Sequence, residues 1–323
     1  MTGINTNIGI SIVMTAILYG TPLVFGGIGE LLAERSGVLN LGVEGMMLMG
    51  AATAFWTSQR MGGPSWLILL VAVLLAMLAA AVMALIHAFV TITLRANQIV
   101  SGLSLTIFAG IIGLSSYLAE SNHLGGKAGK HQFRDLNVFG LKNVPVIGPI
   151  LFHQSAMVYA SWLVVIVAVL YLYRTRTGLH LRSVGESPQA ADAMGINVTR
   201  YRYAHTLAGG ALAGAGGAVF TLEIATNWID GLTAGAGWIA IALVIFSFWR
   251  PDLLIAGAYL FGAFTSFGFD LQARGITSIP TEFWSALPYV MTVVALVLVS
   301  VGSVRRRLGT PAALGIPYVR EES

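Results

Sequence analysis

Residues Leu179–Arg200 read LHLRSVGESPQAADAMGINVTR, a polar stretch between two long apolar runs, and that contrast decides the fold. A chain that leaves a bilayer, makes a short aqueous excursion and returns has this profile. Within the excursion Ser187 predicts a helix N-cap, and Pro188 fits the first helical position, where its missing N–H costs nothing. Gly195 suits the left-handed residue that ends the helix after about two turns. So short a helix is marginal alone in water, and Arg174, Arg176, Arg182, Arg200 and Arg202 around it place it at a membrane surface. We read it as a docking element, with Ala190, Ala191 and Ala193 leaving room for a partner's cleft.

Composition agrees with that reading. Hydrophobic residues make up 56% of the chain and charged residues 10%, against about 25% charged in soluble domains, so only lipid suits the whole chain. The 38 glycines lie largely inside apolar runs beside alanine, which fits close helix packing rather than disorder. The net charge of +4 comes from 18 basic residues clustered at run ends; it orients spans and offers no nucleic-acid surface. Without cysteine there is neither a disulfide framework nor a thiolate metal site.

The expected fold is an all-α polytopic transmembrane bundle forming one domain over residues 1–323. Apolar runs fall at 8–29, 38–57, 66–90, 99–118, 155–173, 203–224, 232–249, 251–270 and 284–301, about nine spans. The first lacks a basic leader and a cleavage site, so it reads as a span and not as a removed signal peptide. With the C-terminus inside, twelve basic residues are cytoplasmic and six are outside, which favours an outer N-terminus. The loop at about 174–202 is then cytoplasmic and that at about 119–154 extracytoplasmic.

Asn40–Trp56 (NLGVEGMMLMGAATAFW) can be laid on Thr233–Trp249 (TAGAGWIAIALVIFSFW), sharing an early glycine and a final Phe-Trp. The two cross in opposite senses in this topology, as an inverted repeat requires; chance likeness of two small apolar helices gives the same pattern.

Few residues have chemistry to offer. Glu44, behind Asn40 and between Gly42 and Gly45, must face protein or water, either on a solute path or bonded to a neighbouring helix. Gly42 and Gly45 admit another backbone or leave the start of the span non-helical. Asn97, Gln98 and Ser101 open the fourth span with donors and acceptors suited to a neutral solute, or else cap a helix. Glu223, Asn227 and Asp230 close the sixth span on the outer side. Gly210 and Gly214, and in parallel Gly209, Ala213 and Gly217, have the small-xxx-small spacing of packed membrane helices. His87 and His205 lack ligand geometry, and no phosphate loop, HExxH or GxSxG occurs, so no catalytic or metal role is assigned.

Three stretches carry a resemblance: GELLAERSGVLNLGVEGMMLMGA (Gly29–Ala51), GLHLRSVGESPQAADAMG (Gly178–Gly195) and NQIVSGLSLTIFAG (Asn97–Gly110). Together they resemble bacterial ABC importer permeases of the ribose, branched-chain amino acid and nucleoside class, nearest the simple-sugar and nucleoside branch. The resemblance implies that the loop helix couples to an ABC ATPase subunit through Glu186, Ser187, Pro188, Ala190, Ala191, Asp192, Met194 and Gly195. It also implies MgATP on that subunit, a second permease chain, homologous or identical, an extracytoplasmic substrate-binding protein, and the bacterial inner membrane. Ribose-type members carry a further span before the first one here. The competing reading is an ion-coupled secondary transporter, for which Glu44 and Asp270 are the candidate carboxylates.

Overall fold

The computed structural model describes residues 8–110, 113–273 and 309–320, with scattered positions from 283 to 297. The chain opens with α1 (Ile8–Arg35), α2 (Val43–Arg60) and α3 (Ser65–Ala88), the last extended by a π-helical turn at Phe89–Thr93. Next come α4 (Gln98–Ala109) and α5 (Leu114–Ser121), then a two-stranded antiparallel ribbon of β1 (Asp135–Asn137) and β2 (His153–Ser155) with Asp135 opposite Ser155. Between the strands lies α6 (Ile147–Phe152). The second half comprises α7 (Ala156–Arg174), α8 (Arg176–Glu186), α9 (Pro188–Ala193), α10 (Val198–Val219), α11 (Ala236–Phe246) and α12 (Pro251–Ala273). A π-helical turn at Phe220–Ile224 extends α10.

Five helical stretches among the described residues are long and apolar enough to cross a membrane: Gly9–Arg35, Ser65–Thr93, Gln98–Ser121, Ala156–Arg174 and Val198–Ile224. Their outer faces are what lipid requires. Leu70, Leu74, Leu78, Val82 and Leu85, spaced by three or four along α3, are all about half exposed, while Ala72, Ala76, Ala80 and Ala84 on the other face are buried. On this helix the alanines lie on the packed face, and the leucines at 70, 74, 78 and 85 face the hydrocarbon. Between helices already in lipid there is no hydrophobic drive, so close contact has to come from small residues.

The centre is α10, packed on α1, α2 and α3. A Cβ on Gly209 would lie 2.6 Å from the Gly29 carbonyl oxygen, one on Gly214 2.6 Å from the Ala80 Cβ, and one on Gly50 2.6 Å from the Gly214 Cα. The glycine spacing read from the sequence is therefore a packing surface on three sides. These contacts order the helices: α10 runs parallel to α2, since Gly210 lies against Met46, Gly214 against Gly50, and Thr221, just past α10, donates to the Ala51 carbonyl. It runs antiparallel to α1, where Gly209 meets Gly29 and Gly216 meets Pro22.

Two expectations are corrected. The first span does not stop at Gly29 but runs to Arg35, and Glu30 and Glu34 are both 1% exposed. The seventh, expected over 232–249, is an 11-residue helix of about 16 Å entered through turns at 231–235, roughly half the hydrocarbon thickness. The ninth expected run, 284–301, lies largely outside the described residues.

Candidate functional site

α2 is entered through a non-helical segment, residues 38–42, packed in the interior. Backbone groups there have no helical partners, and hydrocarbon supplies none, so side chains must. They come from three helices, α1, α3 and α4. The Leu39 N–H donates to Gln98 Oε1 at 2.7 Å, and the Asn40 N–H to Glu30 Oε1 at 2.9 Å. The Leu39 carbonyl meets His87 Nε2 at 3.1 Å, and the Leu41 carbonyl accepts from Thr106 Oγ1 at 3.0 Å. Asn40 closes the turn, its Oδ1 accepting from the Gly42 N–H at 3.0 Å. The Ser101 hydroxyl sits 3.0 Å from His87 Nδ1 and orients that ring. Gly42 and Gly45 allow α4 to lie against this segment: a Cβ on either would come 2.9 Å from Leu105.

Glu44 completes the arrangement at the start of α2 itself. Its Oε1 accepts from Thr233 Oγ1 at 2.6 Å and from the Gly235 N–H at 2.9 Å, and its Oε2 from the Gly237 N–H at 2.7 Å. These are the free donors at the start of α11, a helix that begins inside the bundle, and a carboxylate suits the positive end of its dipole. Gly235, at φ +81°, turns the chain into that helix. Gly237 has no room for a side chain, because a Cβ would lie 2.5 Å from the Glu44 backbone. Of the two readings open from the sequence, the geometry supplies the bonded one: Glu44 joins the two half-buried helix starts.

Asn40, Glu44, Gln98 and Ser101 are thus brought together, whereas Glu223 and Asn227 are not. Asn97 is exposed and caps α4, accepting from the Val100 N–H at 3.1 Å. With His87, Ser101 and Ser104 it lines a cleft of ≈ 520 Å³ between α3 and α4, walled by Val90 and Phe108. Glu223 lies in the π-helical turn after α10, and Asn227 bridges to Ala128. Gln59, at the far end of α2, also donates to the Ala128 carbonyl, which puts this pair at the opposite end of the bundle. Asp230 accepts from the Trp228 indole at 3.1 Å, and the side chain of Asp270 lies outside the described ones.

Glu30 and Glu34 were missed, because hydropathy ended the first span before them. The signal was their i,i+4 spacing, which stacks both carboxyls on one face of α1. Glu34 accepts from the Trp249 indole, and Arg35 Nη2 donates to the Trp249 carbonyl at 2.9 Å, so the last turn of α1 grips the chain just after α11.

The stretch from Glu186 to Gly195 holds the expected short helix α9. Ser187 Oγ accepts from the Ala190 N–H at 3.4 Å, Pro188 stands at the first position, and Gly195 is left-handed at φ +81°. The stretch before it is helical too, as α8. Glu186, Ser187, Ala190, Met194 and Gly195 are exposed, Met194 to 82%, and Asp192 is half-buried. Ala191, expected to face a partner, is instead 3% exposed and packs with Val184 and Val198; Pro188 is buried beside it. Thr177, His180, Ser183, Met194 and Tyr201 line a cleft of ≈ 710 Å³ beside the helix.

Residues 12–296 match the family described as branched-chain amino acid transport system / permease component. The chain belongs to this permease family. It is an ABC importer permease, a multi-pass protein of the cytoplasmic membrane. The permease is 37% identical over 321 residues to the nucleoside ABC transporter permease protein NupC of Lactococcus lactis, with 96% of this chain and 97% of that protein covered. It is 36% identical to the putative glucose ABC transporter permease protein TsgC13 of Haloferax volcanii, with 93% and 95% covered. To the guanosine ABC transporter permease protein NupQ of Bacillus subtilis it is 34% identical, with 96% of each covered. No solved structure matches the chain.

Proposed function

We propose that this permease forms the path for a small, uncharged polar solute, a nucleoside first and a simple sugar next, and is driven by a separate ATPase subunit that docks on α9. The observation that carries the ATP-driven part is α9 itself: a capped helix exposed between the long spans α7 and α10, with Met194 at its tip. An exposed apolar side chain of that size on a six-residue helix contributes nothing to the bundle's own core and suits a partner's cleft. MgATP belongs to that partner. The full assembly contains a second permease chain and an extracytoplasmic binding protein that does most of the selecting. The solute class rests on the relatives named for nucleosides, guanosine and glucose. It is supported by the uncharged donors and acceptors of Asn97, Ser101 and Ser104 around a cleft within the ligand-pocket range of about 300–1,000 Å³.

The inverted repeat and the span count of about nine belong to the same proposal. Supporting the repeat, Asn40–Trp56 and Thr233–Trp249 meet at their starts through Glu44 and depart in opposite directions. In that scheme the loop 119–154 is outside and the loop 174–202 inside, and the polar residues around Leu39 and Glu44 lie where the two repeat segments meet, the interface at which such repeats place their solutes. The test is uptake into proteoliposomes with and without the partner ATPase. ATP-dependent uptake of labelled nucleoside, competed by excess nucleoside more than by glucose, is expected. Uptake that follows a proton or sodium gradient without the ATPase would overturn the reading.

A further inference from the structure

Residues 309–320 return to the docking end of the permease and touch four elements at once. The Ala313 N–H donates to the Gly185 carbonyl at the end of α8 at 2.9 Å, and the Gly315 N–H to the Gly37 carbonyl just past α1 at 3.2 Å. Arg35 Nη1 donates to the Gly309 carbonyl at 3.2 Å, and Arg202 Nη1, near the start of α10, to the Ile316 carbonyl at 3.1 Å. Arg320 Nε pairs with Asp192 of α9 at 3.1 Å, and Tyr318 packs on the cluster of Val184, Ala191 and Val198.

Arg202 gives this contact its weight. It is the largest fully buried side chain among the described residues, at 1% exposure, and the Ile316 carbonyl is its one hydrogen-bond acceptor there, with Nε and Nη2 unpaired. A guanidinium buried with so few acceptors is costly, and removing the last one costs more. The segment covers this side chain and supplies that acceptor. Its seat spans α9, which is otherwise held by the small buried face of Pro188 and Ala191, and the two helices whose glycines form the centre of the bundle.

We propose that residues 309–320 are a strap that fastens the docking helix α9 to α1 and α10, so that displacement of α9 is carried into the bundle instead of being lost in the loop. The inference rests on α9 being the docking element. We assign the strap a positioning role because its buried residues, Pro311 and Ala313, and its hydrogen bonds to Gly37, Gly185 and Arg202 face the permease.

The test separates assembly, hydrolysis and uptake in proteoliposomes containing the full transporter. One variant ends the chain after Gly309; a second, Ala313→Pro, keeps the chain and removes the N–H that binds Gly185. Expected are normal ATPase co-purification, ATP hydrolysis within two-fold of wild type, and solute moved per ATP at least ten-fold lower. An unchanged ratio of solute to ATP overturns the strap. Lost co-purification also overturns it, by making the segment part of the docked surface, and so does a parallel fall of hydrolysis and uptake. If the shortened chain fails to accumulate, Ala313→Pro decides together with a reducible bis-methanethiosulfonate cross-link between Asp192→Cys and Arg320→Cys, in a chain with no native cysteine. The closed cross-link should keep uptake within two-fold of its reduced form, and a reversible ten-fold block would mean that the strap must release. Failure of the docking reading shows separately, as normal ATPase co-purification with Met194→Glu.

Discussion

Replacing Glu44 tests whether one carboxylate joins the two halves of the bundle. Three donors converge on it, the Thr233 hydroxyl and the N–H groups of Gly235 and Gly237, and Glu44 itself is 6% exposed. Leucine at this position leaves all three buried without an acceptor. At about 1–3 kcal/mol per orphaned buried donor, the loss is on the order of 3–9 kcal/mol before relaxation, comparable to the whole stability of many domains. Glutamine is milder. Its carbonyl oxygen can still accept from Thr233 and Gly235, but its NH2 then faces the Gly237 N–H, donor against donor, at about 1–3 kcal/mol. The expected order of stability is wild type, Glu44→Gln, Glu44→Leu, read as the temperature at which half of the detergent-solubilised permease remains monodisperse on size exclusion. Uptake should follow the same order once scaled to permease in the membrane. A Glu44→Leu protein as heat-resistant as wild type would refute the argument. A stable Glu44→Gln protein with no uptake would instead make the negative charge itself part of transport.

On α9, Met194→Glu should lower ATPase co-purification at least ten-fold with permease levels unchanged, because an exposed substitution spares the fold. Ala191→Trp should do the reverse and deplete the permease itself, since overpacking a site 3% exposed costs about 1–3 kcal/mol or more; an immunoblot of membranes separates the two. Gly214→Leu should abolish accumulation in the membrane, because even a Cβ there lies 2.6 Å from the Ala80 Cβ; normal levels would mean that α3 and α10 can separate. Single cysteines at Ser121 and Ser183 should label from outside and inside respectively with a membrane-impermeant maleimide, and outside labelling at Ser183 would reverse the orientation.

What could be read from the sequence was what depends on near neighbours or on composition. The helix at Pro188–Ala193 was legible because Ser187, Pro188 and Gly195 act on backbone within three or four residues of themselves. The long spans were legible because lipid selects apolar side chains whatever they pack against, and the glycine surface of α10 because small-residue spacing is itself the packing device. The tertiary structure alone decided where spans begin and end and which face is buried. Glu30 and Glu34 extend α1 into a region that hydropathy rejects, because Asn40 and Trp249 donate to their carboxyls. Ala191 turns inward because Val184, Val198 and Tyr318 converge on it, which a run of alanines cannot reveal. The partners of Glu44 lie 189 to 193 residues away along the chain. A buried charge announces that it needs donors, but nothing local says which ones, since that choice is made only when α2 and α11 are brought start to start.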